Sequence, residues 1–188
     1  MSVINGNKAT RLALYRLVKV LKAGMATEIA TLNDTGNAII LPTADTYFVA
    51  GSDQEMNQIL TAHTAACFVH PPGPSIVTAP RTGDGTVRAK LHTTIIRVVY
   101  LFKKPAGYTA YSLEGKPLTG AEIVFHMADR IMGAAHDVIY KHAVNLTDIH
   151  EVNIIAQYAD IVTVNNNDLT GRAILEVEVL QDLHHTHK

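Results

Sequence analysis

The residues of this chain whose types could do chemistry are ten histidines, one cysteine, a closely spaced pair of glutamates and one stretch where lysine and tyrosine interleave. A metal site needs several ligands brought together at short fixed spacing, as in HExxH, where two histidines one turn apart share a helix face. His126, His136 and His142 fall within one helical stretch, but at about 100° per residue His126 and His136 stand about 80° apart and His142 lies far from both. They read as separate surface or half-buried side chains. His184, His185 and His187 crowd the C-terminal end, where a short tail offers no fixed geometry and no supporting shell.

The remaining candidates are equally weak as catalytic groups. Cys67 lies in the apolar run Ala65-Ala66-Cys67-Phe68-Val69, where burial raises a thiol pKa and makes it a small core residue. There is no Gly-x-Ser-x-Gly elbow. Gly83-Asp84-Gly85 lacks the following glycines and the Lys-Ser/Thr of a phosphate loop, and fits a hairpin turn. Glu176 and Glu178 share one face of a strand, as a glycosidase-like pair would, yet no aromatic platform surrounds them, so a solvated or subunit-facing strand side is the preferred reading. Lys103-Lys104 followed by Tyr108 and Tyr111 has the alternation of a single-strand binder. Two lysines make a weak groove, and tyrosines favour a protein-facing loop. The expectation is no catalytic residue, no metal and no cofactor.

Composition narrows the classes further. The 188 residues are 47% hydrophobic and 18% charged, enough for a real core without staples. Sixteen basic residues against seventeen acidic ones leave no overall field to hold nucleic acid or an anionic membrane. One cysteine excludes an internal disulfide and any multi-cysteine zinc site. Lys8, Arg11, Arg16, Lys19 and Lys22 break up any signal-peptide run, and no window approaches a membrane span, which implies a reducing cytoplasm as the place of synthesis.

The elements that must position these residues follow from periodicity. Leu14, Leu17, Val18, Leu21, Met25 and Ile29 predict an amphipathic helix from Asn7 to about Leu32. Short strands are expected at Thr46–Ala50, Ala66–His70 and Ser75–Ala79, with a capped helix at about Ser52–His63. Thr86–Lys103 reads as a long strand whose polar start projects as a hairpin around Gly83–Gly85 and whose apolar end is buried on both faces. Lys104–Leu118 reads as a loop. Thr119-Gly120-Ala121-Glu122 is a capping box opening a helix to about His142, with Val124, Met127, Ile131, Ala135, Val138 and Ile139 as its buried stripe. Asp148–Val164 fits a helix or a strand, with the strand preferred from Val152. Arg172–Leu180 alternates as a strand, with Ala173, Leu175, Val177 and Val179 inward. The expected fold is α+β: a mainly antiparallel sheet with two principal helices packed on it and a long hairpin and loop as arms. A single domain over residues 1–181 and a flexible tail over 182–188 are expected.

The N-terminal amphipathic helix, the Leu41-Pro42-x-x-x-x-Tyr47 step into a strand, the long strand with a loop at each end, the long helix and the closing hairpin ending Ala173-Ile174-Leu175-Glu176-Val177-Glu178-Val179 together resemble the tail terminator and tail-completion proteins of the neck of long-tailed bacteriophages. The resemblance covers most of the chain in element order through short motifs. It implies a virion protein assembled in the host cytoplasm: a ring, commonly a hexamer, that caps the tail tube and meets the head connector, with DNA passing through and no membrane partner. It carries over no catalytic residue. By analogy, subunit contacts are expected in Arg81–Lys90, in Lys104–Leu118 and after Gln181. The candidate interface residues are Arg81, Asp84, Arg88, Lys90, Lys103, Lys104, Tyr108, Tyr111, Glu176 and Glu178. Competing expectations are a head–tail adaptor or head-completion protein of the same neck, a small hydrolase or transferase using His and Glu, and a nucleic-acid adaptor using Arg81, Arg88, Lys103 and Lys104.

Overall fold

The computed structural model describes residues 6–32, 44, 46–49, 65–71, 76–78, 91–104, 109–142, 149–165 and 168–182. Two long helices and six strands appear among them: α1 (Gly6–Leu32), β1 (Thr46–Val49), β2 (Ala65–His70), β3 (Ile76–Thr78), β4 (Leu91–Lys103), α2 (Ala121–His142), β5 (Ile149–Asn165) and β6 (Asp168–Asp182). The fold is α+β, as the element order predicts. The capped helix expected near residues 52–63 and the hairpin around Gly83–Gly85 lie outside the described residues.

The sheet runs β1-β2-β4-β6-β5, with β3 pairing the start of β4. All pairs are antiparallel except β1 with β2. Side chains alternate across a strand, so the register sorts them onto two faces. Val69, Val98, Tyr100, Phe102, Ala173, Leu175 and Val177 point to the face that carries both helices. Ala66, Phe68, Val99, Leu101 and Ile174 point to the other face and form a second apolar cluster, each no more than 3% exposed. The end of β4 is thus buried on both sides, which accounts for its unbroken apolar sequence.

The helices pack closely on each other and on the sheet. Gly24 of α1 meets Val138 of α2, where an added Cβ would come within 2.8 Å of a valine methyl. Lys141 Nζ donates to Glu28 Oε1 at 2.7 Å one turn further along both helices. Along the sheet the two helices run in opposite senses, since Thr10 of α1 lies against His92 at the start of β4, while Val124 near the start of α2 lies beside Gly171, which pairs with Phe102 at the other end of β4. The predicted stripe of α2 is buried throughout. At its start Thr119 N donates to Glu122 Oε2 at 3.1 Å, the carboxylate half of the predicted capping box.

β5 is a strand, and its sequence ambiguity has a structural cause. Val152 and Ile154 face the helices opposite Val179 and Val177, but a bulge at Ile155 shifts the register so that Ala156 and Tyr158 lie opposite Glu176 and Ile174 on the other face. Val152, Ile154, Ala156 and Tyr158 alternate in the sequence yet do not share one face. One extra residue in a strand moves everything after it to the opposite side.

Candidate functional site

On the face of the sheet away from the helices, polar residues of β4, β6 and β5 assemble beside the second apolar cluster. Strand register puts Arg97 opposite Glu176, and Arg97 donates to Glu176 Oε1 from Nη2 at 2.6 Å and from Nε at 3.1 Å. Tyr158 Oη reaches the same oxygen at 3.4 Å. Two residues beyond Tyr158 on β5, Asp160 Oδ2 accepts from Arg172 Nη2 at 2.5 Å, and the amide of Ile161 donates to Oδ1 at 2.8 Å. These bonds, the Arg172 one above all, hold the Asp160 carboxyl below the usual carboxylate range. Asn153 Nδ2 bridges Glu178 Oε2 at 3.3 Å and Glu151 Oε1 at 3.2 Å.

Glu176 and Glu178 do stand together on one strand face, as their spacing requires. Their surroundings are those of a cross-strand ladder, in which each carboxylate is hydrogen-bonded to a neighbour on the next strand. Such a ladder fixes register and presents a flat, half-exposed polar surface.

The segment expected to be a plain loop contains a miniature hairpin. Tyr111 and Pro117 bridge antiparallel, with Ser112 N donating to Lys116 O at 2.8 Å, Leu118 N to Ala110 O at 2.8 Å and Gly115 N to Ser112 O at 2.9 Å. Gly115 has φ 76°, the left-handed residue that closes a three-residue hairpin loop. The hairpin holds Leu113 fully in solvent and Tyr111 56% exposed. Leu113 was not singled out by sequence reasoning; the signal for it is an apolar residue within the Ser112-Leu113-Glu114-Gly115 turn, where burial cannot explain its presence.

Of the other candidates, Lys103 and Lys104 are half-buried at the end of β4, with Lys104 N donating to Leu169 O at 3.0 Å. They are anchored to β6 and lie next to the start of the segment that leads to the hairpin. Arg81, Asp84, Arg88, Lys90 and Tyr108 lie outside the described residues. Cys67 is fully buried, and burial alone pushes its thiol pKa up. His136 lies against Tyr140, with ring centroids 4.6 Å apart and planes tilted by 44°. Burial, then the nearby Arg130, lowers the pKa of His126. No group of three or more metal-ligating side chains forms among the described residues, and none of the described helices is long and apolar enough to cross a membrane.

The chain matches no known family among protein-family models and no curated protein sequence.

Proposed function

We propose that this chain is a structural subunit that assembles into a ring at the neck of a phage tail, as a tail terminator that caps the tube and joins it to the head connector. The observation that carries the reading is the hairpin at Tyr111–Pro117, which holds Leu113 wholly in solvent at the tip of an ordered turn. An isolated exposed leucine is unremarkable. A rigid turn that presents one beside an exposed tyrosine is a contact element for another protein, since ordering an arm costs conformational entropy that a partner contact offsets. The α+β order of elements and the ladder of cross-strand hydrogen bonds on the open sheet face agree with a subunit whose work is contact.

The test is assembly. Native mass spectrometry and electron microscopy of the purified protein are expected to show closed rings, and addition of the protein to growing tail tubes is expected to stop their elongation. Leu113→Asp is expected to keep the fold and lose capping. A strict monomer at every concentration that leaves tube growth unchanged overturns the reading. Rings that bind the head connector and leave tubes growing would move the protein to the adaptor layer of the same neck.

A further inference from the structure

The two sides of the molecule are unlike, and they complement each other. α1 lies over β1, β2 and β4, while α2 lies over β6 and β5, so each helix is paired with one edge of the sheet. Gly24 and Glu28 mark the side of α1 that meets α2. At about 100° per residue, Arg11, Tyr15, Lys19 and Lys22 fall between about 140° and 180° from Gly24, on the flank facing away from α2. All four are exposed, Tyr15 by 64%. The same construction on α2 places Glu122, Phe125, Asp129, His136 and Tyr140 between about 140° and 180° from Val138, on the flank away from α1. Phe125 and Tyr140 are 46% and 49% exposed. One flank is cationic with a tyrosine, and the other is acidic with two aromatics.

The sheet edges below these flanks are open in the same sense. Among the described residues, β1 pairs only with β2 and β5 pairs only with β6, so each has one unpaired side. Edge strands are usually guarded by lysine, proline or bulges. β5 contains no lysine, arginine or proline. Its bulges leave Ala156–Thr163 in unbroken register, longer than the four residues of β1. Following the pairings from β1 to β5 shows that these two edge strands run in opposite directions. A second copy placed beside the first in the same orientation would therefore set its β1 antiparallel to β5, the more stable pairing. The same placement sets its basic α1 flank against the acidic α2 flank.

We infer that copies of this chain join head to tail, with the α2/β5 side of one meeting the α1/β1 side of the next. The contact is heterologous, the kind that builds a ring when the rotation from copy to copy closes and an open filament when it does not. The inference rests on the ring reading above and names the surfaces that build it.

Charge-swapped variants test it. Lys19→Glu/Lys22→Glu makes both flanks acidic, and Asp129→Lys/Gly133→Lys makes both basic. Gly133 is exposed on the outer face of α2, with open space around an added Cβ. Each variant alone is expected to associate roughly tenfold or more weakly than the parent, because attraction becomes repulsion at every junction. Mixed in equal amounts they are expected to reassemble with the two variants alternating, since every junction again joins opposite charges. Ile155→Lys, a guard residue on the exposed edge, is expected to weaken assembly without a compensating partner. Circular dichroism checks that each variant is folded. Parent rings that all three folded variants reproduce would overturn this arrangement and leave the ring reading intact. Loss of assembly in one charge variant that the mixture does not restore would overturn it too. A monomeric parent would remove both.

Discussion

At the residue scale, the buried groups carry definite consequences. His92 is fully buried, with Nε2 3.1 Å from Thr10 Oγ1, and burial lowers its pKa. The unfolded chain then takes up a proton at higher pH than the folded one. The contribution of this group is present above the unfolded value of about 6.5 and is lost as pH falls through that value toward the folded one. The urea midpoint is expected to drop between about pH 7.5 and about pH 5, and His92→Gln is expected to flatten part of that drop. His126, also lowered, leaves a residual slope; an undiminished slope in His92→Gln would place the proton uptake elsewhere. Gly171 is a steric case. A Cβ there would stand 2.3 Å from the Phe102 ring and 2.6 Å from a Val124 methyl, both in the fully buried core. Gly171→Ala is expected to destabilise by ~1–3 kcal/mol through overpacking, and a urea midpoint equal to that of the parent would contradict this packing.

At the element scale, the sheet is a buried layer at one side and an open one at the other. Phe68 is 0% exposed on the face away from the helices, while Tyr158 on the same face is 39% exposed. Phe68→Ala is expected to cost ~3–5 kcal/mol, as in any core, against ~1 kcal/mol or less for Tyr158→Ala, whose single 3.4 Å hydrogen bond is largely exposed. Equal unfolding midpoints for the two variants would show that the second apolar cluster is not a true core. The elements themselves were legible where one period held throughout. The 3.6-residue stripe of α2 and the alternation of β6 predict their buried residues correctly. β5 was ambiguous because its bulge changes parity in mid-strand. The Tyr111–Pro117 hairpin was hidden because its loop depends on one left-handed glycine within a polar stretch. For the candidate site, the spacing of Glu176 and Glu178 shows that they share a face. Their partners Arg97 and Asn153 come from other strands, 79 and 25 residues away in sequence, and only strand order reveals them.

At the scale of the whole molecule, near-neutrality conceals a strong separation of charge. The first 27 residues hold Lys8, Arg11, Arg16, Lys19 and Lys22 and no acidic residue, while the other eleven basic residues accompany all seventeen acidic ones. A chain with a net charge of −1 has little overall repulsion to keep its copies apart, and its uneven distribution favours contact between unlike sides. Salt then separates the two contributions to the proposed head-to-tail assembly. Charges on the exposed helix flanks act through solvent, where the screening length falls from about 10 Å at 0.1 M salt to about 3 Å at 1 M. Backbone pairing at the sheet edges has no such dependence. Raising salt across that range is expected to weaken assembly of the parent, and to strengthen the residual association of each charge-swapped variant by screening its repulsion. Light scattering across a salt series reads both trends in one experiment. Parent assembly that tightens with salt would mean that apolar burial and not charge dominates the junction, and would move its centre from the lysines of α1 to the exposed aromatics Tyr15, Phe125 and Tyr140.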